Sequence, residues 1–180
     1  MKTKILILAC LIGPLFFSCQ KKSIPPNPNE EELITTVQLK FIDSSGIEPT
    51  IYCIYQDKDG DGGNLPEKWD SIILKANKCY YMTITLLDET KIPIDTISNE
   101  ILSEDYDHLF CFEPLGVSID IEKTDKDKNE LSLGLKSKWN TYATGNGSID
   151  IILKHQPGIK NGDCNIGATD IHLTFPIFIK

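Results

Sequence analysis

The sequence predicts an all-β protein, an antiparallel β-sandwich of about eight or nine short strands. Three observations carry that expectation. Apolar residues alternate with polar ones in run after run. Gly, Asn, Asp and Pro cluster between the runs. Segments with helical spacing are almost lacking, and this combination is the mark of a sandwich.

Taken in order, Leu33, Thr35, Val37, Leu39 and Phe41 share one face, with Thr36, Gln38 and Lys40 on the other. That period of two describes a half-buried strand. Thr50 to Tyr55 follows a Ser44-Ser45-Gly46 turn, and Asp70 to Lys75 follows an acidic loop. Cys79 to Leu87 puts Tyr80, Met82, Ile84 and Leu86 on one side. Ile94 to Leu102 fits either a strand or a short helix. His108, Phe110 and Phe112 then alternate, as do Val117, Ile119 and Ile121, and Leu131, Leu133 and Leu135. Ile149, Ile151 and Leu153 follow a Gly-Asn-Gly turn. The last strand carries Ile171, Leu173, Phe175, Ile177 and Ile179, and Pro176 within it implies an edge or a bulge.

Residues 1–18 read as a signal peptide. Lys2 and Lys4 precede an apolar stretch from Ile5 to Phe17, too short to span a bilayer. The stretch ends at Ser18-Cys19. A cysteine in that setting resembles a bacterial lipoprotein signal, in which Cys19 is lipidated and becomes the first mature residue. Residues 19–32, rich in proline and polar side chains, form a tether. The sandwich domain is expected over 33–180. The anchor implies the outer membrane, with the leaflet open.

Formal net charge is −8 over 180 residues, and every basic residue is lysine. Cleavage before Cys19 removes Lys2 and Lys4 and no acid, taking the charge to −10. Such a chain is a poor match for nucleic acid, whose phosphates demand cationic surface.

The densest chemistry lies at Asp57-Lys58-Asp59-Gly60-Asp61-Gly62-Gly63-Asn64. Asp57, Asp59 and Asp61 take alternate positions before glycine, with the Gly63 carbonyl as a further oxygen. A hard cation such as calcium is held by oxygens from a flexible loop of this kind. Lys68 stands where the helix–loop–helix calcium motif needs a Glu, so the expectation is a calcium loop between strands, against a plain solvated turn. The run Asp125 to Glu130 is a weaker echo, interleaved with lysines.

Four cysteines remain in the mature chain: Cys53, Cys79, Cys111 and Cys164. In an exported protein an even number points to disulfides, with three connectivities open. Cys53 and Cys111 lie inside strands, Cys79 and Cys164 in turns before strands. Pairing like with like gives Cys53–Cys111 and Cys79–Cys164.

Of the three histidines, His155 continues an apolar face and is expected buried at a strand end. His108 is expected at the surface beside acids, and His172 in solvent. A further reading brings His108 and His155 together with a carboxylate as a zinc or copper site, for which imidazole is apt. Trp139 and Tyr142, in a Thr/Asn/Gly-rich stretch, suggest either a cap on the core or a platform for a glycan. No nucleophile elbow, phosphate-binding glycine loop or H-E-x-x-H occurs, so the expectation is a protein that is not an enzyme.

The series from Tyr55 to Gly63, Leu86-Leu87-Asp88-Glu89, Asp107-His108-Leu109-Phe110, His155-Gln156-Pro157, and Gly162-Asp163 through Gly167-Ala168-Thr169-Asp170-Ile171 to Phe175-Pro176 resembles a family of short Gram-negative outer-membrane lipoproteins. They carry the label "type 1 periplasmic binding fold superfamily". The resemblance implies an accessory role beside a TonB-dependent receptor in nutrient capture. A two-lobed α/β fold is not expected, because parallel strands need helical crossovers and the sequence offers none. The runner-up is an interaction scaffold with no small-molecule ligand.

Overall fold

The computed structural model describes residues 33–60 and 63–180. The expected signal peptide, Cys19 and the expected tether, and Asp61 in the acidic loop, lie outside the described residues. Two sheets face each other across an apolar core. The larger contains β1 (Thr36–Asp43), β2 (Ile51–Gln56), β3 (Lys68–Trp69), β5 (Cys79–Leu87), β7 (Ile119–Lys123) and β8 (Lys136–Thr141), in the order β3-β2-β1-β5-β8-β7. The smaller contains β4 (Ile72–Leu74), β6 (His108–Leu115), β9 (Gly145–His155) and β10 (Ala168–Ile179), in the order β4-β10-β9-β6. Every pairing is antiparallel except β4 with β10. The all-β sandwich is therefore the observed fold.

The alternation does the work of burial. Val37, Leu39 and Phe41 of β1 and Tyr80, Met82, Ile84 and Leu86 of β5 point inward from one sheet. Ile149, Ile151 and Leu153 of β9 and Leu173, Phe175, Ile177 and Ile179 of β10 answer from the other. Register is fixed where one face is apolar, since a one-residue slip would turn every side chain over. Trp139 is fully buried in β8, with its ring 5.0 Å from Phe41 and 5.9 Å from Phe112. The stretch read as a candidate sugar platform thus supplies core: Trp139 is inside, and exposed Tyr142 donates its hydroxyl to Asp120 at 2.6 Å.

The ambiguous stretch resolves as α1 (Ile97–Ser103), which buries Ile97 and Ile101 against the core. Leu133 and Leu135 are buried as expected, but outside a named strand; Gly134 between them holds φ +98 against Phe110, where a Cβ would come within 2.7 Å. Pro176 lies on an interior strand, yet β4 pairs only with Ile177 to Ile179, so the proline stands beyond that ladder.

The expected disulfides are corrected. Cys111 is bonded to Cys164, while buried Cys53 and half-buried Cys79 are free thiols. Strand-to-strand matching misled because the 156–167 connection carries Cys164 back to β6. Burial pushes the Cys53 thiol up to about 11, with the Asp70 charge adding to it, so it is an inert apolar group at neutral pH. Among the described residues no helix is long and apolar enough to cross a membrane.

Candidate metal centre

His108 opens β6 and His155 closes β9, and the antiparallel register sets them directly opposite. Cross-strand partners have their Cβ atoms about 5 Å apart. The two imidazoles stack with centroids 4.8 Å apart and planes 3° from parallel. Both residues are buried. His155 thus meets its expectation, whereas His108 corrects one: it is inside, because the turn after α1 and the loop 156–167 close over the start of β6. Asp107 accepts the Gln156 N–H at 2.6 Å across that closure, and the Gln156 side chain holds the Asp163 and Ile166 carbonyls. Gly167 is required where the loop returns, since a Cβ there would run into the His155 carbonyl.

The third member is Asp170. The β9–β10 register passes from Thr169↔Lys154 to Ile171↔Leu153, leaving Asp170 as an extra residue. Its neighbours of like parity, His172 and Thr174, face outward. A bulge re-aims a side chain, and that of Asp170 is only 1% exposed. Its Oδ2 lies 3.9 Å from His108 Nε2.

The protonation pattern follows from the partners. His108 Nδ1 is 3.1 Å from the Glu104 carbonyl oxygen, which can only accept, so Nδ1 carries the proton. Burial, the largest influence, lowers the His108 pKa; the nearby His155 lowers it further, while the Glu104 carbonyl and Asp170 oppose this. A neutral ring with its proton on Nδ1 leaves a lone pair on Nε2, 3.9 Å from the Asp170 carboxylate. A histidine that donates one ring N–H to a backbone carbonyl and offers the other nitrogen has the arrangement of a metal ligand.

One ligand atom each from His108, His155 and Asp170 can be chosen so that all lie within 4.8 Å of one another. Tetrahedral zinc at bonds near 2.0–2.1 Å sets its ligand atoms about 3.3 Å apart. The spread here reaches 4.8 Å, so ligation would draw the three side chains together. Two nitrogens and one oxygen suit zinc, copper(II) and their first-row neighbours, not calcium, which takes oxygen ligands.

The acidic loop ends near the same place, and the carboxylates of Asp57 and Asp59 are engaged within it. Asp57 is buried, accepting the Gly60 N–H at 3.1 Å through Oδ1 and the Tyr55 hydroxyl at 3.3 Å through Oδ2. Asp59 Oδ2 accepts two N–H groups of Asn64, at 2.8 and 2.7 Å, which hold its pKa below the usual carboxylate value. The Gly63 N–H donates to the Gly60 carbonyl at 3.2 Å. Asp57, Gly60, Tyr55 and Ile34 on one side and Asp170 and Leu173 on the other line a cleft of about 330 Å³. The two stretches singled out in the sequence therefore converge at one end of the sandwich.

Two further features singled out in the sequence have local partners. His172 is exposed as expected, 3.2 Å from Asp150. In the second acidic run Asp125 accepts the N–H groups of Gly134 and Lys136, and Asp127 is ion-paired to Lys160. Sequence reasoning named both histidines but not their carboxylate; the only trace of Asp170 is a polar residue just ahead of the apolar alternation of the last strand. The chain matches no protein-family model, no curated protein and no solved structure.

Proposed function

We propose that this chain is an exported, lipid-anchored protein that binds a divalent first-row transition ion without turning over a substrate. The observation that carries this reading is the buried meeting of His108, His155 and Asp170, one ligand atom of each lying within 4.8 Å of the others. The Ser18-Cys19 lipoprotein signal and the family resemblance support attachment to the outer membrane and an accessory role beside a TonB-dependent transporter. Two neutral imidazoles and one carboxylate leave a bound divalent ion with net positive charge and an open position. That suits capture and transfer as well as permanent storage.

The test is a cobalt(II) and zinc titration of the full mature chain in detergent. The parent protein is expected to take one equivalent and to give the absorption of cobalt(II) in nitrogen–oxygen coordination. His155→Ala is expected to weaken binding by about a hundredfold or more, since even residues behind the ligands contribute ten- to a hundredfold. Stoichiometric binding that survives His155→Ala and Asp170→Asn together would remove the site.

A further inference from the structure

A buried site needs a way in. His108 and His155 are enclosed, and Asp170 belongs both to the cluster and to the wall of the cleft. Facing Asp170 across that cleft is Asp57, from the acidic loop. Its carboxylate is positioned by the Gly60 N–H and the Tyr55 hydroxyl, both neutral donors. Among the described residues no lysine lines the cleft, and the His172 at its edge is already beside Asp150. Ile34, Ile171 and Leu173 supply low-dielectric walls. A cleft lined by one sign of charge between apolar walls concentrates counter-ions and raises association rates by about 10- to 1000-fold.

We infer that this cleft is the ion's route to the buried site, and that Asp57 draws the hydrated divalent cation along it toward Asp170. The inference rests on the metal reading above. It gives the acidic loop a task in the rate of uptake, not in holding an ion of its own. Asp57 is a positioning residue for the incoming cation, not a ligand in the final complex.

The discriminating experiment is stopped-flow mixing of cobalt(II) with the full mature chain, over a range of salt. Asp57→Asn is compared with Asp120→Asn, on β7 in the other sheet, so that the two variants share one net charge. Asp57→Asn is expected to slow association about tenfold at low salt, with the difference shrinking toward about 0.5 M salt, where charges are screened within a few ångströms. Its dissociation rate is expected to match the parent's, and Asp120→Asn to associate at the parent's rate. Equal association rates for the two variants overturn the route through Asp57. So does a parent rate that is indifferent to salt, which needs no variant to fold. If the parent shows no cobalt band at all, the metal site itself fails, a result distinct from a site that fills at an unaltered rate.

Discussion

Lys160 Nζ lies 2.9 Å from Asp127 Oδ2, with both side chains buried, and also donates to the Asp105 carbonyl at 2.6 Å. Asp127 accepts the N–H groups of Asn129 and Leu131 through its other oxygen. Burial alone would raise the Asp127 pKa; the Lys160 ammonium and these N–H groups outweigh it and hold the pKa below the ordinary 3.8. Removing one member of a buried pair strands the other charge, at a cost of about 3–5 kcal/mol. Lys160→Met should therefore lower unfolding stability by that order in urea, and Lys160→Met with Asp127→Leu should recover much of it. Because the folded pKa is depressed, the stabilisation is complete above the unfolded carboxylate value near pH 4. It is lost as acid takes the pH down through the folded value. Denaturant melts of the parent between pH 5 and pH 2 should show the loss, and the double variant a shallower one. The sequence shows Asp127 only as one acid in a charged run. Its partner is 33 residues away on the 156–167 connection, and nothing in either neighbourhood names the other.

At the scale of the element, the bulge in β10 decides what the end of the sandwich can do. Strict alternation would send Asp170 outward with His172 and Thr174; the extra residue turns it inward beside two histidines. Deleting Asp170 should restore a regular β9–β10 ladder and leave His108 and His155 stacked. The expected result is a chain that still unfolds cooperatively but gives no cobalt band; retained metal binding would show that the bulge is dispensable. Here the limits of the sequence are clear in physical terms. Val37, Leu39 and Phe41, or Ile149, Ile151 and Leu153, announce their strands because burial is written into every second residue. The cross-strand meeting of His108 with His155 depends on register over long range. The aim of Asp170 depends on a local irregularity that leaves no compositional sign. His108 reads as a surface residue beside acids, and only the closure of α1 and the loop 156–167 buries it.

For the molecule as a whole, the Cys111–Cys164 bond ties the loop joining β9 and β10 to β6, three residues past His108 and six before Asp170. Its two cysteines are 53 residues apart. In the chain-entropy account, closing a loop of that length in the unfolded state is worth about 4 kcal/mol. Cys111→Ser/Cys164→Ser should lose stability on that scale, read as a lower denaturant midpoint. Cys53 and Cys79, being free, should not move that midpoint under reducing and oxidising conditions once the pair is gone. The apolar core between the sheets does not depend on the crosslink. The variant should therefore keep its β-sheet circular dichroism while its ligand-bearing end loosens.

The same bond makes the oxidised chain a lasso, with β7, β8 and β9 inside the closed ring. Lys128 is an exposed point on that ring. A single tryptic cut there would separate His108 from His155 and Asp170 in the linear order of the chain, yet leave both peptides as one covalent molecule. On a non-reducing gel the nicked protein should migrate near its intact mass, and break into two bands only after a thiol is added. The ligand set would be shared between two polypeptides that cannot diffuse apart.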